Sequence, residues 1–165
     1  MKKIKETFGN ALAIIIGVTI VILAIPIIVI AFPIFYVKDI TFKKRYSKYI
    51  PKIEGKNFFI YNNRKNSISF IEEKLLPLLS KDIEIIFLDG EYPKSLFKRE
   101  FISHMLLELK NYKKFPHLMK VRNGNLVDES INNEFYNTLN QDKAVHSLID
   151  VIHTFFDMKT KLNVA

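Results

Sequence analysis

The 165-residue chain contains no cysteine. Disulfide frameworks, thiol redox chemistry, thiolate metal sites and cysteine nucleophiles are therefore excluded. No Asp, Glu, Lys or Arg occurs from Thr7 through Val37. The glycine pattern of a phosphate-binding loop is missing, and no serine, base and acid can be assembled into a nucleophilic set. Repeats and low-complexity tracts are absent as well.

The uncharged stretch is the first positive signal. Ala11 to Val37 reads ALAIIIGVTIVILAIPIIVIAFPIFYV, with Thr19 its single aliphatic hydroxyl. A core helix of a small soluble domain keeps a polar face, and this run has none. As a helix at about 1.5 Å per residue it is roughly 40 Å long, more than the ~30 Å hydrocarbon core of a bilayer. The pattern predicts a transmembrane helix, tilted or with its ends in the headgroups. A cleaved signal peptide has a shorter apolar core and a small-residue cleavage site, whereas this run ends in Phe35-Tyr36-Val37-Lys38. Pro26 and Pro33 are tolerated in lipid, and the central Pro26 leaves a re-entrant wedge as the other reading. Phe32, Phe35 and Tyr36 suit the interfacial belt. Lys2, Lys3 and Lys5 precede the run, while Lys38, Lys43, Lys44, Arg45, Lys48 and Lys52 follow it, which favours a cytoplasmic C-terminal domain.

The formal net charge of +8 is unevenly placed. From Ile53 to Ala165 there are 16 Lys and Arg against 15 Asp and Glu, so the excess flanks the apolar run. A nucleic-acid surface puts its charge on the folded domain, so no nucleic-acid partner is expected. Lys43, Lys44, Arg45 and Lys48, interleaved with Phe42, Tyr46 and Tyr49, suit anionic headgroups at about 1 kcal/mol per basic residue.

The chain thus divides into an N-terminal flank (1–10), a transmembrane helix (11–37), a basic juxtamembrane connector (38–56) and a soluble domain (57–165). The last is long enough to bury a core without disulfides or metal. Asn57-Phe-Phe-Ile-Tyr61 and Ile83-Glu-Ile-Ile-Phe-Leu88 read as buried strands, the second closed by Asp89-Gly90. Between them, Asn62 to Ser67 is a polar loop and Ser69-Phe-Ile-Glu72 has capping-box spacing for a helix with Pro77 near its end. A second helix is expected over about 95–110. Asn123-Gly124 between two strand candidates, 116–121 and 126–128, is a strong hairpin signal. Two helices follow, over 131–140 and from Asp142 to about Lys159, the last with an apolar stripe of Val145, Leu148, Ile149, Ile152 and Phe156.

The element order is βαβαββα with an extra C-terminal helix, which resembles the thioredoxin-like fold over roughly residues 56–140. Phe58 to Tyr61 stands where that family's first core strand leads into its active loop. Phe115-Pro116-His-Leu-Met-Lys-Val-Arg-Asn-Gly124 is similar to the family's proline, strand and glycine turn, and the resemblance implies a cis proline. The family's CxxC falls within about Lys65 to Ser69, where no cysteine stands. The resemblance therefore implies the fold without thiol-disulfide oxidoreductase activity. A small Rossmann-like half domain with a parallel sheet is the competing architecture.

Three constellations carry candidate chemistry. The loop Asn62, Asn63, Arg64, Lys65, Asn66, Ser67 lies at a strand's carboxyl end before a helix, a usual ligand position in open α/β sheets. With the edge at Pro116 and His117 it is the expected ligand or peptide site, and Arg64 and Lys65 favour an acidic or phosphorylated group. Glu100, His104 and Glu108 share a helix face, as do His146, Asp150, His153 and Asp157. Both sets read as wet helix faces with i,i+4 pairs, and no metal or cofactor is expected. The expected function is a membrane-anchored, non-redox interaction module that holds a protein partner at the membrane surface. The other reading is a transferase-like membrane-surface enzyme acting on a polar or phosphorylated substrate, with Asp89 or Glu91 as its carboxylate.

Overall fold

A computed structural model describes residues 2–141 and 144–158. The chain divides into two compact units, residues 1–47 and 48–165. Helix α1 (Lys2–Tyr49) runs unbroken through Pro26 and Pro33. Between Ile14 and Val37 every side chain is exposed apart from the half-buried Ala24 and Ala31. Such a surface is untenable in water over this length, and α1 is long and apolar enough to cross a membrane. An unbroken helix does not double back, so the wedge reading falls away. Thr19 donates its hydroxyl to the Ile15 carbonyl at 2.8 Å, which satisfies this polar group without solvent. The basic stretch from Lys38 to Tyr49 forms the last turns of α1, where Lys43 pairs with Asp39 at 2.8 Å and Lys44, Arg45 and Lys48 are exposed.

The second unit is a mixed α/β domain on a five-stranded sheet. A 3-10 turn over Ile50–Ile53 buries both isoleucines, and the chain enters β1 (Asn57–Asn62). Helix α2 (Lys65–Phe70) follows, then β2 (Ile83–Asp89), β3 (Tyr92–Lys94), α3 (Arg99–Leu107), β4 (His117–Arg122), β5 (Asn125–Ser130), α4 (Asn132–Gln141) and α5 (Val145–Phe155). The strand order is β3-β2-β1-β4-β5. β1 and β2 are parallel, while β1–β4, β2–β3 and β4–β5 are antiparallel, which removes the all-parallel alternative. Asp142 and Lys159, the expected limits of the last helix, lie outside the described residues.

Alternation along the strands builds two cores. One face of the sheet presents Phe59, Tyr61, Ile83 and Leu118 to Ile71, Leu75, Phe135, Leu148, Ile149, Ile152 and Phe156 in a single buried cluster. Val145 packs against it half-buried, so the stripe expected on the last helix does meet the sheet. On the other face Phe97 meets Phe58 edge-on at 5.3 Å, and α3 buries Phe101, Ile102, Met105 and Leu106. Lys120 joins the layers: its ammonium donates to the Phe155 carbonyl at 2.6 Å and to Asp157 at 2.7 Å.

The hairpin is as expected. Asn123 and Gly124 have φ of 53° and 72°, and both carboxylate oxygens of Glu54 accept their amides, at 2.8 and 2.9 Å. The Phe115–Pro116 peptide is cis. Two sequence expectations need correction. β3 was not expected, and it contains Pro93, which lacks the N–H of a ladder residue. It is tolerated there because β3 is an edge and the hairpin register turns the position of the missing N–H away from β2. The helix after β1 starts at Lys65 rather than Ser69. The Arg64 carbonyl accepts the amides of Ser67 and Ile68, both at 3.0 Å, so Lys65 to Ser67 form a first helical turn instead of a loop. Glu72, expected to cap that helix, instead accepts the Tyr61 hydroxyl at 3.1 Å. Burial first, then this bond, pushes the Tyr61 phenol up to about 12.

Candidate functional site

The carboxyl ends of β1 and β2 lie side by side, and three loops gather there. The Asn63 amide donates to the Leu88 carbonyl at 3.2 Å, which carries the parallel ladder one residue past β1. The Asn63 side chain donates to Asp89 at 3.2 Å, and Lys94 donates to the other Asp89 oxygen at 2.7 Å. Arg64 reaches the third loop, its guanidinium donating to the Lys113 carbonyl at 3.2 Å. The result is an open groove of about 260 Å³ lined by Asn62, Arg64, Leu88, Gly90, Glu91, Tyr112, Lys113 and Phe115. That is below the ~300–1,000 Å³ of pockets that enclose a small-molecule ligand.

Of the two segments expected to form the site, Asn62 and Arg64 of the first line the groove, and facing them are Phe115, directly before the expected Pro116–His117 edge, and Lys113. Lys65 and Asn66 are exposed on the first turn of α2, and Asn63 is spent on Asp89. Ser67 is buried, its hydroxyl donating to the Arg64 carbonyl at 3.1 Å. Pro116 and His117 are both buried, and neither lines the groove. The Pro116 carbonyl accepts the Ile131 amide at 3.1 Å. Tyr112 and Lys113 also line the groove, which motif spacing did not reveal. The only sequence signal was a basic, aromatic stretch directly before Pro116.

Electrostatics separate the carboxylates. The Lys94 hydrogen bond and charge, aided by Asn63, hold Asp89 below the usual carboxylate range. Asp89 therefore stays ionised and fastens the β2–β3 turn to the β1 end, a positioning task that makes it a poor proton acceptor. The exposed cations Arg64 and Lys113 line the groove, and their exposed sequence neighbours Lys65 and Lys114 add to the positive charge of those two loops. The other two constellations do not assemble. His104 Nε2 sits 3.3 Å from Glu108, Asp157 pairs with Lys120, and His146 is exposed. Among the described residues no group of three His, Asp or Glu side chains is arranged to hold a metal ion.

Beneath the groove, His117 is fully buried. Its Nε2 lies 2.8 Å from the Asn111 carbonyl, and its Nδ1 has no hydrogen-bond partner, with Asp128 4.0 Å away. Burial pushes the imidazole below its usual value, against the weaker opposite pull of the Asn111 bond and Asp128. The unfolded chain thus binds a proton that the folded one refuses as pH falls below about 6.5. Stability is present above that pH and is lost below it, with a slope of up to about 1.4 kcal/mol per pH unit. Urea unfolding at pH 7.5, 6.5 and 5.5 measures this slope, and His117→Gln should remove it. An identical pH dependence in the variant would show that other groups carry it.

No protein-family model, no curated protein and no solved structure matches this chain.

Proposed function

We propose that this protein is a membrane-anchored binding module: a thiol-free, thioredoxin-like domain that holds an acidic or phosphorylated protein partner at the cytoplasmic membrane surface. The thioredoxin-like reading is supported by the strand order β2-β1-β4-β5, in which a parallel βαβ unit is extended by an antiparallel hairpin. β3 is then an addition at the outer edge of β2. The cytoplasmic placement rests on the six basic residues that follow the apolar run against three before it.

One observation carries the binding role: the groove is open, small and rimmed by cations, and Arg64 is held across it by the Lys113 carbonyl. A guanidinium fixed at one end is preorganised to receive a carboxylate or phosphate with little further loss of freedom. The enzyme reading keeps Glu91, which lines the groove, but loses Asp89 to its ion pair with Lys94.

The test is the charge swap Arg64→Glu with Lys65→Glu in the full chain, with folding checked by circular dichroism. Both side chains are exposed, so the fold should be unchanged. Partner recovery from mild detergent should fall by about tenfold or more, as for reversal of a paired charge. Recovery indifferent to the swap would move the site away from this groove.

A further inference from the structure

β5 is the outer strand on one side of the sheet, and among the described residues nothing pairs with its free edge. The opposite edge, β3, is blunted by its three-residue length and by Pro93. β5 has six residues, with no proline and no lysine. Its hydrogen-bond pattern follows from the hairpin. Across a two-residue turn the flanking pair, Arg122 and Asn125, exchanges both backbone bonds, and bonded pairs then alternate along the ladder. Asn125, Val127 and Glu129 therefore bond inward, and the Ile131 amide continues the series by donating to Pro116 at 3.1 Å. The amides and carbonyls of Leu126, Asp128 and Ser130 point outward, ready to template another strand.

Beside this edge, between β5 and α5, runs a groove of about 310 Å³ lined by Glu129, Asp150, Val151, Thr154 and Phe155. Val151 and Phe155 are half-buried and give it an apolar floor, while Glu129 and Asp150 are exposed on its rim. Neither carboxylate forms an ion pair among the described residues.

We propose that the β5 edge receives an extended basic segment of a partner protein, which adds as a sixth strand and lays a Lys or Arg side chain into this groove. The backbone of Leu126, Asp128 and Ser130 supplies the main-chain bonds of such β-addition. Val151 and Phe155 cover the aliphatic stem, and Glu129 and Asp150 meet its charge. A second copy of this chain is the poorer occupant, because two-fold pairing of β5 with itself brings Asp128 and Glu129 towards the same carboxylates of the mate.

The full chain in a neutral detergent, titrated with a synthetic hexapeptide of alternating Lys and Val, tests the assignment by amide hydrogen exchange. Exchange at Leu126, Asp128 and Ser130 should slow by about tenfold or more, and an alternating Glu and Val peptide should leave it unchanged. Glu129→Lys with Asp150→Lys should weaken the basic peptide by about tenfold or more without unfolding the domain. Unprotected amides, or equal binding to the reversed variant, would overturn the proposal. Protection that rises with protein concentration in the absence of peptide would overturn it too, by giving the edge to a second copy.

Discussion

Ile152→Asp should unfold the second unit. Ile152 has no exposed surface and sits in the cluster that joins α5 to Phe59, Leu118 and Phe135. Removing its side chain from that core forfeits about 1.5–3 kcal/mol of burial. The aspartate must also either carry a charge into an apolar site or be protonated at neutral pH, which costs several kcal/mol more. Together these reach the ~5–15 kcal/mol that holds a domain of this size folded. The variant should lose its cooperative thermal transition and near-ultraviolet dichroism and become sensitive to protease. Ile152→Val, which keeps the apolar surface, should cost only about 0.5–1.5 kcal/mol. A folded aspartate variant with a transition near that of the parent would refute the packing assigned to α5.

The second large effect belongs to α1. Leu23→Arg with Ile27→Arg puts two guanidiniums near the middle of the apolar run, at positions whose side chains are both exposed. Each arginine at the centre of a span disfavours insertion by about 2.5–3.5 kcal/mol, so the pair should cost roughly 5–7 kcal/mol. The parent should stay in the membrane pellet after alkaline carbonate, and the variant should move to the supernatant. The absence of native cysteine makes orientation accessible in the same preparation. Asn10→Cys should react with an impermeant thiol reagent on intact cells, and Ser47→Cys should react only after lysis. Retention of the double-arginine variant in the pellet would show that α1 is not what holds the chain there, and the opposite labelling pattern would reverse the orientation.

What was legible in the sequence follows from how local each signal is. β1 and β2 are short apolar runs, and the β4–β5 hairpin is set by two residues that accept positive φ, so all three were readable from a few neighbours. β3 was hidden because its strand character depends on the edge it occupies, and a proline there is admissible only in that context. The start of α2 was misread because Ser69 and Glu72 imitate a cap, while the observed start at Lys65 follows from the turn that β1 makes beside Leu88. The basic residues after Val37 resembled a linker, yet they continue α1 to Tyr49 and contain nothing that breaks a helix before Pro51. Of the groove, Asn62 and Arg64 were found because they follow a buried strand. Tyr112 and Lys113 come from a loop about fifty residues away and reach the same place only through the crossing of β1 by β4.

The sheet order also has a consequence for synthesis. β1 is the first strand of the domain to leave the ribosome, yet it lies in the middle of the sheet, between β2 and β4. β2 can cover one of its edges early. The other edge waits for His117–Arg122, and the intervening chain takes roughly 3–11 s to make at ~5–20 residues per second. During that interval Asn57-Phe-Phe-Ile-Tyr61, free of charge and rich in aromatics, presents an unpaired apolar strand to solvent. The segment best protected in the finished domain is thus the one most in need of a chaperone while the domain is being made.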